Sequence, residues 1–247
     1  MKISIITVTY NSAATLEQTI QSVISQTYPD IEYIIVDGKS TDETLQIIDK
    51  YKSGISKFVS EKDKGLYDAI NKGIDMCSGE VIGILHSDDF YIDNKVIEKY
   101  AELFSKTSCD AVYSDLYYVD KTDTNKIIRK WKSGNYKSNA FVNGWMPPHP
   151  TFFVKKACYQ QFGKFDLQFT SAADYELMLR FIHKHKIKMA YLPEYTVKMR
   201  VGGKSNESIK NRINANMEDR KAWTVNELTP RFYTLYLKPL RKIFQFF

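Results

Sequence analysis

The sequence predicts an α/β fold: a mostly parallel mixed sheet with helices on both faces, followed by a C-terminal helical tail. Three observations predict it. Short β-branched apolar runs alternate with stretches of helical spacing, the apolar runs end in clusters of polar residues, and the pattern changes beyond residue 205. A length of 247 residues suits one large domain with a short appendage.

The run from Ile3 to Thr9 reads as a buried strand, and Leu16, Ile20, Val23 and Ile24 follow at helical spacing. The alternation continues with a strand at Tyr33–Val36 and a helix around Leu45 and Ile48. A strand at Lys57–Val59, a helix around Leu66, Ile70 and Ile74, and a strand at Val81–Leu85 complete it. Strand-like stretches recur at Ala111–Tyr113 and Ile127–Arg129, then a loop-rich segment from Ser133 to Pro150 carries Pro147, Pro148 and Pro150. A helix from Tyr175 to His185, strands near Met189–Leu192 and Thr196–Met199, and a polar helix after Ser205 close the chain. This divides it into a main domain, 1–205, and an extension, 206–247. The main domain comprises a nucleotide half to about residue 92 and an acceptor half from 93.

Composition narrows the class. With 43% hydrophobic and 26% charged residues the chain is neither collagen-like, disordered nor a disulfide scaffold. The aromatic excess, 17 Tyr and 14 Phe, fills core by default. A net charge of +6, thickening beyond Lys186, favours phosphates or acidic lipid headgroups and requires no nucleic acid. Cys77, Cys109 and Cys158 are too few and too far apart for a zinc site, and read as reduced thiols in a cytoplasmic setting. Thr7, Thr9 and Asn11 interrupt the first apolar run too early for a signal peptide or membrane span, so the protein is expected in the cytosol.

Open α/β sheets bind ligands beyond the carboxyl ends of their strands, which points to the polar strand ends. The first ends in Thr9-Tyr10-Asn11-Ser12, without the glycines of a dinucleotide fingerprint, which argues against a dehydrogenase. The second ends in Asp37-Gly38-Lys39-Ser40-Thr41-Asp42. Ser40 and Thr41 suit a turn and helix cap, whereas Asp37 on an apolar strand end needs a partner such as a nucleoside. In Asp63-Lys64-Gly65 through Asn71-Lys72-Gly73, Asp68 and Asn71 lie one helical turn apart and are expected to face the crevice together. Leu85-His86-Ser87-Asp88-Asp89 sets two carboxylates directly after a buried strand. That arrangement needs a cation or hydrogen bonds, and Mg²⁺ or Mn²⁺ held with a substrate diphosphate would supply the cation. Asp174 opens a predicted helix, where its charge is favoured by the dipole and where Asp is also an ordinary N-cap. The acidic residues from Asp110 to Asp120 read as turn and edge positions, and His183 and His185 as surface residues.

In order and spacing, Thr9-Tyr10-Asn11, the Asp37 loop, Asp63-Lys64-Gly65 through Gly73, Ser87-Asp88-Asp89 and Ala173-Asp174-Tyr175 resemble the family 2 inverting glycosyltransferases of the GT-A fold, over roughly residues 1–205. The resemblance implies a nucleoside pocket from Thr9, Tyr10, Asn11 and Asp37, with Lys64, Gly65, Asp68, Asn71 and Ser87 along the donor. It places Asp88 near the ribose, Asp89 on the Mn²⁺ or Mg²⁺ that bridges the diphosphate, and Asp174 as the base. The family's Asp-x-Asp begins here with Ser87, and its Glu-Asp pair at the base reads Ala173-Asp174. Both departures keep the second carboxylate.

Pro148-His149-Pro150-Thr151 and Arg200 through Ser205 resemble further segments of polysaccharide-assembly members. His149 there contacts acceptor or phosphate, or is structural, while Arg200 and Lys204 clamp the diphosphate and Gly202-Gly203 lets the segment close or simply turn. The implied donor is a nucleotide sugar, preferably of UDP, and the acceptor a saccharide on a lipid carrier. Beyond Pro230 the tail carries Tyr236, Leu240, Ile243 and Phe247 on one helical face and Lys238, Arg241 and Lys242 on another. That pattern fits an interfacial helix on the inner face of the cell membrane, or packing on the protein's own domain or a second copy in a homodimer. The rival functions are a silent carbohydrate-binding scaffold and a sugar nucleotidyltransferase. The latter lacks the glycine-rich basic loop it needs after the first strand.

Overall fold

The computed structural model describes residues 1–202 and 209–243. Strands β1 (Ile3–Thr9), β2 (Ile31–Asp37), β3 (Lys57–Ser60) and β4 (Val81–Ile84) form the parallel part of the sheet, in the order β3-β2-β1-β4. Strands β5 (Asp89–Tyr91), β6 (Ala111–Val119), β7 (Ile127–Trp131), β8 (Phe153–Lys155) and β9 (Met189–Arg200) extend it as β4-β8-β6-β9-β5, with β7 on the free edge of β6. The additions are antiparallel except for β6 and β9, which run parallel. The nucleotide and acceptor halves therefore share one sheet, and β5 of the first half lies beside β9 of the second.

Alternate strand residues build two cores. Ile6, Val8, Ile34, Val36, Ile82 and Ile84 pack under α3 (Leu66–Met76) and α6 (Ala173–Met178). Ile3, Ile5, Tyr33, Ile35 and Val81 pack under α1 (Leu16–Ile24), α2 (Thr44–Lys50) and α4 (Val96–Lys106). Burial on both faces is why β1 and β2 read as continuous apolar runs. Both α4 and α5 (Lys156–Phe162) went unassigned in the sequence, although Val96, Ile97, Tyr100, Ala101 and Phe104 make a regular apolar stripe on α4. The two strands expected near 189–199 are one strand, β9, with a register shift against β6 around Asp115.

Two expectations are corrected here. Asp115 is not a turn residue: it is 2% exposed on β6 and accepts hydrogen bonds from the Ser133 N–H (2.7 Å) and the Tyr191 hydroxyl (2.7 Å). His183 is half-buried between Phe141 and Trp223, because the tail helix that carries Trp223 covers this side, whereas His185 is exposed as expected and stacks on Phe162 at 4.1 Å.

Those helices are α7 (Ile209–Val225) and α8 (Thr234–Ile243). Trp223 is 1% exposed against the core, and α8 docks on the 138–146 segment, where the Thr234 hydroxyl donates to the Val142 carbonyl. Gly144, at φ +74°, admits this approach: a Cβ there would sit 2.5 Å from the Lys238 backbone nitrogen. Lys238, one of the three cations on the basic face of the tail, packs on the protein's own domain: it pairs with Asp219 at 2.7 Å and lies 3.8 Å from the centre of the Tyr175 ring. Tyr236 and Leu240 do face solvent, at 68% and 50% exposure, while Phe247 lies outside the described residues.

At the opposite end of the sheet from the crevice, Glu32 is 3% exposed yet held by Lys57 (2.8 Å), the Ser4 hydroxyl, and the Ser78 N–H and hydroxyl. Burial alone would raise its carboxyl pKa, but these partners hold it down at about 2. Removing the carboxylate leaves the buried Ser4 hydroxyl without its acceptor and takes away the common partner of Lys57 and Ser78, so Glu32→Ala is expected to lower the unfolding free energy by about 3 kcal/mol. Lys57→Ala should lower it less, because the Lys57 side chain is 40% exposed. Urea denaturation of both variants at pH 7 checks the order.

Candidate active site

The polar residues that end β1, β2 and β4 lie together at the carboxyl edge of the parallel strands, which is the candidate crevice. Thr9 and Asp37 are register partners at the tips of β1 and β2. Asp37 is fully buried and accepts from the Ser40 N–H (3.0 Å), the Ser40 hydroxyl and the Ser60 hydroxyl (2.6 Å). Ser40 therefore serves Asp37 rather than capping α2. The same hydroxyl accepts the Asn11 N–H at 2.8 Å, and the Asn11 side-chain oxygen accepts the Thr41 N–H at 2.8 Å. Asn11 sits at φ +48°, so the two loops brace each other across a left-handed turn and Tyr10 stands 57% exposed at the mouth. The Thr9 hydroxyl is buried without a hydrogen-bond partner.

Along α3, Gly65 at φ +126° opens the helix, and the Asp68 carboxylate accepts the Lys64 N–H at 2.9 Å. Lys64 itself is exposed. Asn71 does not face the crevice with Asp68. Its amide gives to the Phe165 carbonyl (2.8 Å) and accepts the Phe165 N–H (3.0 Å), so it ties α3 to the acceptor half.

The turn between β4 and β5 is held from two sides. The Thr19 hydroxyl of α1 donates to the carbonyls of Ser87 (3.0 Å) and Asp89 (2.8 Å), and the Ser87 hydroxyl meets that of Ser12 at 2.9 Å. Arg200, 7% exposed at the end of β9, donates to the Asp88 carbonyl and to Gln18. Its guanidinium thus braces the turn from inside the fold, and Lys204 lies outside the described residues. Asp88 is partly exposed, whereas Asp89 is fully buried with both carboxyl oxygens lacking a hydrogen-bond partner. Burial and then the charge of Asp88 push the Asp89 pKa well above the carboxylate range, with Arg200 opposing only in part. A buried, unanswered carboxyl beside a second carboxylate fits a divalent cation that completes its shell with water and phosphate oxygens. Among the described residues no three His, Cys, Asp or Glu side chains gather as a closed metal cage.

Asp174 lies in the first turn of α6, but the N-cap is Ala172 and no side chain of the helix caps it. The Asp174 carboxylate instead meets His149 Nδ1 at 3.5 Å and the Tyr67 hydroxyl at 3.4 Å. The His149 ring packs on His86 at 5.0 Å, and the charges of both Asp88 and Asp174 reach His86. His149 keeps 26% of its side chain open to the crevice, yet the ring is sunk deeply enough that burial lowers its pKa to about 4. His86 is lowered to about 4 by burial and then by His149. At neutral pH both rings are uncharged, so the 3.5 Å approach of His149 to Asp174 is not an ion pair. Tyr67 and His86 were missed as site residues although both stand inside motifs that the sequence singles out.

Comparison with known proteins settles the lineage. The profile described as Glycosyl transferase family 2 matches residues 4–162. The chain belongs to glycosyl transferase family 2. It is 31% identical over 180 residues to an uncharacterized glycosyltransferase of Mycobacterium tuberculosis (strain ATCC 25618 / H37Rv), covering 72% of this chain and 68% of that one. A PGL/p-HBAD biosynthesis glycosyltransferase of Mycobacterium bovis (strain BCG / Pasteur 1173P2) is 28% identical with the same coverage. The fold is that of S. aureus TarS 1–349 in complex with UDP-GlcNAc, at a TM-score of 0.71 and 17% identity over 96% of this chain and 69% of that one. It is also that of the mannosyltransferase PcManGT from Pyrobaculum calidifontis in complex with GDP-Man and Mn2+, at 0.68 and 16% over 96% and 72%. The chain spans 44% of the longer TarS structure. The family 2 glycosyltransferase thus has the α/β GT-A sheet that its motifs predicted.

The orphaned Asp89 makes a stability prediction. Because its folded-state pKa is raised, the native protein holds a proton that the unfolded chain releases above the ordinary carboxylate range, so stability falls as pH rises from there. Asp89→Asn removes this loss. In metal-free buffer at pH 8 it is expected to raise stability by about 1 kcal/mol, roughly 2–4 °C in Tm, with a smaller difference near pH 5. Differential scanning calorimetry at the two pH values checks it.

Proposed function

We propose that this glycosyltransferase transfers a sugar from a nucleoside diphosphate sugar, with UDP the preferred nucleotide, to a hydroxyl of a saccharide acceptor with inversion at the anomeric carbon. The observation that carries the reading is the chain of contacts Asp174–His149–His86, with His86 within electrostatic reach of Asp88, which supports pairing a base at Asp174 with a diphosphate held at the Asp88–Asp89 turn. The complexes of TarS with UDP-GlcNAc and of PcManGT with GDP-Man and Mn2+ support the donor class.

In this mechanism Asp174 takes the proton of the acceptor hydroxyl as that oxygen attacks the anomeric carbon, and the nucleoside diphosphate leaves from the opposite face. The Tyr67 hydroxyl and the neighbouring His149 ring orient the carboxylate. The nucleoside lies beside the Thr9 hydroxyl, with Asp37 holding the Ser40 loop behind it, Tyr10 and Asn11 at its rim and the exposed Lys64 toward the phosphates. The Asp88–Asp89 pair would hold Mn²⁺ or Mg²⁺, Asp88 being partly exposed and Asp89 buried without a hydrogen-bond partner. The cation supplies Lewis-acid stabilisation of the leaving diphosphate.

The acceptor is proposed to ride on a lipid carrier, in surface glycan assembly. Phe232, Tyr236 and Leu240, at 88%, 68% and 50% exposure, follow at intervals of four, with exposed Arg231 and Arg241 nearby, as suits an anionic membrane surface. No helix among the described residues is long and apolar enough to cross a membrane.

The test is transfer from a panel of UDP-, GDP- and dTDP-sugars with Mn²⁺ or Mg²⁺, onto lipid-linked saccharides in anionic vesicles. One donor is expected to turn over, with kcat reduced about 10²–10⁴-fold in Asp174→Asn. Asp88→Ala is expected to lose the metal response. Donor binding without transfer to any acceptor, or wild-type turnover by Asp174→Asn, would contradict the reading.

A further inference from the structure

The turn that delivers Asp174 has no support of its own. Helix α6 is six residues long, its N-cap is Ala172, and Ala173 stands where the resemblance places a glutamate. The support comes from α7, in the extension. The two carboxylate oxygens of Glu218 accept four hydrogen bonds from three consecutive residues: the Thr170 N–H (2.9 Å) and hydroxyl (2.7 Å) on one oxygen, and the Ser171 N–H (2.8 Å) and Ala172 N–H (2.9 Å) on the other. Burial raises the Glu218 pKa, but these donors outweigh it and hold the carboxyl below its ordinary range.

The same face of α7 fixes the residues after Asp174. Glu218, Ala222 and Asn226 repeat at intervals of four, so they lie along one side of the helix. Asn226 donates to Glu176 (2.9 Å), and the neighbouring Trp223 indole N–H donates to the Tyr175 hydroxyl (2.9 Å). Residues 170–172, 175 and 176 are therefore all held by α7, and Asp174 between them turns the other way, toward Tyr67 and His149.

We infer that Glu218 is a positioning residue for Asp174, and that the C-terminal extension is in this way part of the transferase site. The inference rests on the reading of Asp174 as the base. Displacing a reacting group by about 1 Å can cost on the order of 10²-fold in rate, and Glu218 is the only carboxylate that gathers the backbone N–H groups of residues 170–172 among the described residues.

The experiment uses the full chain and compares Glu218→Ala and Glu218→Asp with wild type, each also combined with Asp174→Asn. For Glu218→Ala, kcat is expected to fall about 10–100-fold while donor KM and UDP affinity by calorimetry stay within about twofold. Glu218→Asp, which keeps the charge one methylene short, is expected to recover part of the rate. It also serves alone if the alanine variant does not fold. In the Asp174→Asn background neither change should slow the residual reaction further. Wild-type kcat in a folded Glu218→Ala protein, a loss that multiplies that of Asp174→Asn, or a loss that follows UDP affinity would overturn the inference. Wild-type turnover by Asp174→Asn alone would instead remove the base reading beneath it.

Discussion

The antiparallel pairing of β5 with β9 is the interaction on which the crevice depends. It joins residues 89–91 to residues 197–199, across more than a hundred positions, and so ties the acidic turn to the last strand of a sheet whose halves already meet through β4 and β8. Asp89 is the first residue of that pairing, which explains why its carboxyl is carried under the sheet edge. Arg200, the residue after the pairing ends, reaches back to the Asp88 carbonyl. The acidic turn is therefore made by the strand that follows it and held by the last strand of the domain. Loss of the β5–β9 ladder would release the turn from its Arg200 brace and from its fixed distance to Asp174.

Charge distribution follows from the same geometry. Where protein donors are plentiful, as around Asp37 and Glu32, carboxylates are satisfied internally and hold loops together. Where they are absent, as at Asp89, the carboxyl has no hydrogen-bond partner and burial favours its neutral form. Asp174 is intermediate: it accepts one long hydrogen bond from Tyr67 at 3.4 Å, has the neutral His149 ring 3.5 Å away, and stays partly exposed.

Much of this was legible in the sequence because the signals were local. The parallel strands announce themselves as doubly buried apolar runs, and Thr9, Asp37, Asp88 and Asp89 were found by asking which polar residues end them. Other features depend on contacts between distant segments. Asn71 looked like a crevice residue by helical spacing, yet Phe165, 94 positions away, takes its amide. The tail read as a separate amphipathic piece because its periodicity is visible, while the glycine that lets α8 dock, Gly144, and the turn that Glu218 gathers lie in segments with no periodic signal. Asp115 was passed over because a buried acid on an irregular strand looks, locally, like a turn residue.

The central claim is that one crevice performs a single displacement, with Asp174 as base on the side opposite the departing diphosphate. Its most direct test is the anomeric configuration of the sugar in the transferred product, read by ¹H NMR from an α-linked nucleotide-sugar donor. The account predicts a β-linked product from the first turnover onward. An α-linked product would contradict it, since retention demands a second displacement or a front-side path for which this arrangement of Asp174, His149 and Tyr67 gives no reason.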